Sequence, residues 1–222
     1  MPRKPRVLEP NRVYHVYNRR TDRQLLFPSP RAYDEFVDLL EVGVQRYGVR
    51  ICSYCPLETH WHQAIWVREH DGAKAVSNYL RWLSSSHALR FRFSTETRGH
   101  GHVYQDRYKS LLVKDDAHYL TLVRYIEANS VVAGLVERAE QWPWSSFAER
   151  VSGRRRILDD GPVRLPDDWS DIVNASVELE LPDLMAPQTT DRRRSRRRRR
   201  WSGTEVRRSG TEVHGSGTEV SR

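Results

Sequence analysis

Two strand-like runs joined by four residues, each bordered on its outer side by a helical pattern, constrain this chain more than any other feature. "VRICSYC" (Val49–Cys55) and "HWHQAIWV" (His60–Val67) are mostly apolar, and only "PLET" joins them. So short a connection between strands reads as a hairpin. Before it, Phe36, Leu39, Leu40 and Val44 recur at helical spacing. Ser29 serves as N-cap, Pro30 as first helical residue and Gly48 as the stop. After it, Val76, Tyr79, Leu80 and Leu83 line one side of "AKAVSNYLRWLSSSHALRFRF". Alternating "RVYHVYNR" (Arg12–Arg19) precedes the first helix, and "VYQDRYKSLLV" (Val103–Val113) follows the second after the "RGHGH" loop. A third helix lies in "DDAHYLTLVRYIEAN", capped by Asp115 or Asp116. "WPWSSF" and "LPDDWSDIV" read as irregular or short helical pieces. The βαββαβ order implies an α+β fold: a ferredoxin-like antiparallel sheet with packed helices.

Charge divides the chain. The formal net charge is +8, but residues 187–222 hold eleven arginines against four acidic residues, leaving 26 basic and 25 acidic residues before them. The body is not globally basic, so any nucleic acid must be met by local patches. The tail combines Arg192–Arg200 with three SGTEV repeats at a seven-residue step. It has too few apolar residues for a core and is expected to be disordered. Three segments result: a domain over 1–150, an extension over 151–186 and the tail over 187–222. No apolar run reaches membrane-spanning length, and the first fifteen residues lack a signal peptide's apolar stretch. A cytoplasmic, nucleoid-associated protein without a membrane partner is expected. Cys52 and Cys55 lie three apart on a strand and so point to opposite faces. They are expected to be ordinary buried thiols rather than a metal or redox pair.

His60 and His62 share one strand face, with Trp61 on the other. Two imidazoles so placed suit Zn, Mn or another imidazole-accepting cation, given a third ligand. On spacing alone, two half-buried histidines beside water is the plainer reading. On the third helix, Tyr119, Leu122, Val123 and Ile126 form the apolar stripe, so Tyr119 is expected in the core. Tyr125 lies off that stripe, with Asn129 one turn later on the same flank. For the helix alone, an exposed tyrosine at the helix edge is the simpler reading.

Taken together, these segments resemble the REP-associated tyrosine transposases, within the single-tyrosine HUH transposases of the insertion-sequence-200-like group. "HWH" matches the His-hydrophobe-His motif. "YHVYNRRTDRQLLF" resembles that family's first strand and turn, "VYQDRYKS" its fourth-strand motif, "RYIEANSVVAGLV" its catalytic helix and "WPWSS" the segment that follows. The resemblance spans Val13 to Phe147. Glu58-Thr59 stand where the family usually has Pro-Asn, and Ser130-Val131-Val132 where Asn129 is usually followed by Pro-Val-Arg. The resemblance implies the HUH endonuclease fold, Tyr125 as nucleophile, and His60, His62 and Asn129 as ligands of Mg²⁺ or Mn²⁺. It further implies single-stranded DNA bearing a REP-like hairpin as substrate, cut and rejoined through a 5′-phosphotyrosine link. The protein would act as a monomer or homodimer.

Aromatic and basic residues interleave in "YLRWLSSSHALRFRF" and "VYQDRYKS". Arg81, Arg90, Arg92, Arg107 and Lys109 are candidates for phosphate contacts, with aromatics stacking unpaired bases. The plainer reading keeps Trp82 and Phe91 in the core and the cations on a solvated surface. Two other functions fit the same fold: a catalytically weak hairpin-binding protein, and a metal-dependent phosphodiesterase that uses water instead of tyrosine.

Overall fold

A computed structural model describes residues 8–21, 24–68, 72–95 and 101–175. The Arg-rich and SGTEV-repeat tail, and most of the "RGHGH" loop, lie outside these residues. Four strands, β1 (Arg12–Arg19), β2 (Arg50–Leu57), β3 (His60–Val67) and β4 (Lys109–Leu112), form one sheet in the order β2-β3-β1-β4. Every neighbouring pair is antiparallel. That is the expected ferredoxin-like order, and Pro56 falls on the edge strand β2, where a missing N–H is tolerated.

Helices α1 (Pro30–Tyr47) and α2 (Gly72–Ser94) cover one face. Ser29 accepts a hydrogen bond from the Ala32 N–H at the start of α1, and Gly48 ends it in the left-handed conformation. The ring of Phe36 lies against Trp61, and the Tyr79 hydroxyl donates to Gln63 Oε1 at 3.0 Å. Gly43 sits where any Cβ would collide with the Tyr79 ring, so the α1–α2 approach needs a glycine. Helix α3 (Asp116–Val132) lies on the opposite face and is capped by Asp115, whose side chain accepts from His118 N. The short helices α4 (Ser146–Ser152) and α5 (Trp169–Asn174) follow. Ile157, Trp169 and Val173, all beyond residue 150, are buried in the same core.

Three local expectations change. The hairpin turn is Glu58-Thr59 alone, because Leu57 already pairs with His60. Backbone N–H groups of Leu26 and Phe27 donate to the Glu58 carbonyl, and that of Arg20 to Thr59, so the turn is held from the β1–α1 connection. The fourth strand shortens from the expected 103–113 to 109–112 because Tyr104 turns inward. Its hydroxyl accepts from Trp61 Nε1 at 3.0 Å and meets His87 Nδ1 at 2.7 Å. Finally, the β2–β3 register shifts between Ile51 and Ser53. That irregularity defeats simple alternation: Cys52 hydrogen-bonds Tyr119 of α3, and Cys55 lies against Glu127 and Ser130 of the same helix. Both thiols are free and buried, as expected, but both face α3. Burial raises the Cys52 thiol to about 12.

Candidate active site

The site is built where α3 crosses the strand face bearing the histidine pair. Strand pairing sets Tyr17 opposite His62 and Arg19 opposite His60, and directly opposed residues share a face. The alternation of β1 therefore adds His15, Tyr17 and Arg19 to the histidine side. The His60 and His62 rings are 4.9 Å apart between centroids and nearly perpendicular. Tyr125 reaches down from α3, its ring 5.4 Å from that of His62 and 6.1 Å from that of His15. The Asn129 side chain hydrogen-bonds the phenol. The four residues expected to cooperate thus meet in one place, although they come from two elements more than sixty positions apart.

The structure departs from the exposed-tyrosine reading of α3. Tyr125 is only 5% exposed, and every residue from Tyr125 to Ser130 is buried. The helix is covered on one side by the sheet and on another by the chain beyond it. Glu127 accepts from Ser146 Oγ at 3.0 Å and Trp169 Nε1 at 2.7 Å, and pairs with Arg150 at 3.0 Å. Tyr119 is buried beside Cys52, as its place in the apolar stripe predicts. Without a proline after Asn129, α3 continues to Val132, and Gly134 with φ 69° turns the chain away.

Both histidines are held through Nδ1. His60 Nδ1 lies 3.0 Å from Thr59 Oγ1, so the threonine in place of the family's usual asparagine still gives the ring a polar partner. His62 Nδ1 lies 2.8 Å from His15 Nε2. His62 Nε2 is buried with no hydrogen-bond partner. A buried imidazole nitrogen with a lone pair and no donor is what a cation satisfies. Burial holds His60 down to about 4, helped by the Arg19 cation, and holds His15 at about 3. His62 is lowered by burial and then by its two histidine neighbours. All three rings are neutral at pH 7, the form that ligates metal. Among the described residues no three His, Cys, Asp or Glu side chains converge as a metal cage. A cation bound here would rely on His60, His62 and the Asn129 amide, a donor set that suits it. Burial also raises the Tyr125 phenol, which Asn129 partly offsets, so the hydroxyl is protonated at neutral pH.

These shifts set a pH dependence of folding. His15, His60 and buried His87 have folded-state values of about 3 to 4, against 6.5 when unfolded. The unfolded chain therefore binds more protons below pH 6.5. Stability is expected to be flat above that value and to fall between pH 6.5 and about 4, at a limiting slope of about 1.4 kcal/mol per pH unit for each fully buried ring. Urea titrations at several pH values check this; stability that holds steady from pH 7 to 4.5 would contradict it.

The candidate DNA contacts separate. Arg81, Arg92 and Arg107 line one groove of about 1010 Å³ between α2 and residues 102–108, together with Asn18, Asn78 and Tyr108. Arg90 lines a different cleft and donates to the Glu35 carbonyl. Lys109 lies over the Tyr17 ring, 5.8 Å from its centroid, beside the histidine site. Phe91 is buried, as the core reading requires, and so cannot stack on a base.

Comparison with known proteins places the chain. The family model described as "Transposase IS200 like" matches residues 10–129, more than half of the sequence. The chain belongs to the IS200-like transposase family. A relative from Haemophilus influenzae described as a REP-associated tyrosine transposase is 24% identical over 142 residues, covering 61% of this chain and 75% of that protein. A solved REP-associated tyrosine transposase bound to a REP hairpin superposes with a TM-score of 0.53 at 20% identity, over 75% of this chain and 96% of that one. At that identity the superposition establishes the fold, an α+β body with a four-stranded antiparallel sheet. As a member of this family the protein is a DNA-transposing enzyme. No helix among the described residues is long and apolar enough to cross a membrane.

Proposed function

We propose that this transposase cuts and rejoins single-stranded DNA beside a REP-like hairpin, using Tyr125 as nucleophile in a cytoplasmic, nucleoid-associated setting. The observation that carries the reading is the meeting of Tyr125 with His62 across the helix–sheet interface, ring to ring at 5.4 Å. A phosphodiester resists attack by a neutral phenol, so the site must place the hydroxyl and manage its proton. Tyr125 Oη attacks the phosphorus in line. The Oη–P bond forms as the bond from phosphorus to the 3′ oxygen breaks. The phenolic proton leaves to solvent, and the departing 3′ oxygen takes up a proton to become a 3′-OH. The product is a 5′-phosphotyrosine, which keeps the phosphodiester's energy and lets a 3′-OH reverse the step without ATP. Held by His60, His62 and Asn129, Mg²⁺ or Mn²⁺ would polarise the phosphate and stabilise developing charge. Because Tyr125 is so little exposed, DNA engagement must open the surroundings of the phenol. Arg81, Arg92 and Arg107 offer a cationic groove for phosphates, and Lys109 lies beside the site.

Incubation of the protein with hairpin-bearing single-stranded DNA and Mg²⁺ or Mn²⁺, followed by a denaturing gel, tests the reading. A protein–DNA adduct is expected with metal and none in EDTA. His60→Ala and His62→Ala are each expected to abolish the adduct. Asn129→Ala should reduce it less, since a neutral amide is the poorer ligand. Cleavage without any adduct would favour the water-dependent phosphodiesterase, and hairpin binding without cleavage the catalytically weak protein.

A further inference from the structure

The histidine motif has a partner that neither its spacing nor the family match assigns. His15 is fully buried on the central strand β1, with its Nε2 2.8 Å from His62 Nδ1 and its ring 5.1 Å from that of His62, 23° from parallel. We propose that His15 is a positioning residue that accepts the Nδ1–H of His62, fixing the tautomer in which His62 Nε2 presents its lone pair to a divalent cation. The inference rests on the metal-site reading above.

Two proton arrangements satisfy the 2.8 Å contact. If His15 donated from Nε2, His62 would carry its own proton on Nε2. That proton would point into the site, buried and without an acceptor, and would bar the nitrogen from a cation. If His62 donates from Nδ1, Nε2 is left as a lone pair, and the only buried donor remaining between the two rings is His15 Nδ1, away from the ligating atom. His60 follows the same pattern. Its Nδ1 is engaged by Thr59 Oγ1, so ligation again falls to Nε2. One histidine is oriented from the turn and the other from the neighbouring strand. An outer partner on the far nitrogen is the general means by which a metal-binding imidazole is fixed in ring angle and tautomer. Here a second imidazole takes the place of the usual carboxylate or carbonyl. The position also has a geometric reason: His15 pairs with Ala64, two residues along from His62, and the small alanine side chain leaves room for the two rings to meet edge to edge.

Two measurements on the full-length protein test the proposal. The first is the ¹⁵N spectrum of the imidazole nitrogens in the unaltered protein without metal. His62 is expected as the Nδ1–H tautomer, and an Nε2–H His62 would overturn the assignment. The second is titration with Mn²⁺ alone, without DNA, followed by electron paramagnetic resonance. His15→Phe keeps the ring volume but cannot accept a hydrogen bond, and is expected to weaken Mn²⁺ binding about 10- to 100-fold. His15→Gln, whose side-chain oxygen reaches to a similar distance, should stay within a few-fold of the original. A folded His15→Phe protein that binds Mn²⁺ as the original does would refute the role. If the Phe variant does not fold, the tautomer and a His15→Gln protein with unimpaired Mn²⁺ affinity carry the test, and a folded Gln variant that has lost Mn²⁺ would count against it. An unaltered protein that binds no Mn²⁺, yet shows the Nδ1–H tautomer, would defeat the metal reading while leaving the His15–His62 geometry standing.

Discussion

Replacing Tyr125 by Phe is expected to abolish covalent attachment to DNA and to lower cleavage by a factor on the order of 10⁴ to 10⁶, the range seen when a nucleophile is removed from a unit that acts together. The substitution removes one oxygen and leaves a ring of nearly the same shape. The packing of that ring against His62 and His15 is therefore retained, and hairpin binding should change little. Losing the oxygen also ends its hydrogen bond with Asn129, a neutral interaction worth about 1 kcal/mol. A denaturing gel after incubation with hairpin DNA reads the adduct, and a mobility-shift titration reads binding. An adduct that persists in the Phe variant would remove Tyr125 from the reaction. Tyr119, the other tyrosine of the helix, is a poor replacement because its hydroxyl is hydrogen-bonded to the buried Cys52 thiol of β2.

The second large effect is on stability, at Arg150. Glu127 has no exposed surface and lies two residues from Tyr125. The Arg150 guanidinium donates to Glu127 Oε1 through two nitrogens, at 3.0 and 3.3 Å, and to the Cys52 carbonyl at 3.1 Å. One side chain thus ties α4 to α3 and to the edge strand. Removing it by Arg150→Ala leaves a carboxylate buried without its cation, which costs about 3–5 kcal/mol. In a body of this size that lowers Tm by roughly 6 to 20 °C. The double substitution Glu127→Gln with Arg150→Met removes both charges and is expected to melt well above Arg150→Ala alone. Calorimetry on the three proteins checks the order. A melting point for Arg150→Ala within about 2 °C of the original would show that the pair contributes little and that α3 is held by its apolar contacts.

Much of this was legible in the residues. Ser29, Pro30 and Gly48 bound α1 because capping and backbone conformation are local properties. The helical and strand periods gave the element order, and that order admits few topologies, so the ferredoxin-like sheet followed. His60 and His62 share a face because a strand alternates, whatever lies around it. Asn129 follows Tyr125 by one turn for the same kind of reason.

What tertiary structure decided is everything that depends on which surfaces meet. The shift between Ile51 and Ser53 turned both cysteines toward α3, because a bulge depends on the partner strand and not on the sequence spacing of the thiols. The burial of Tyr125 required α3 to settle on the histidine face of the sheet, ring against His62 and His15, and no helical period reports a neighbour one has not yet placed. His15 lies 47 positions from His62. It stands in an ordinary alternating strand, and only the register between β1 and β3 brings its nitrogen to the histidine pair. Local geometry is written in short stretches of sequence, where two or three dihedrals fix it. The site is a set of distances between distant stretches, and those exist only once apolar burial has chosen the packing.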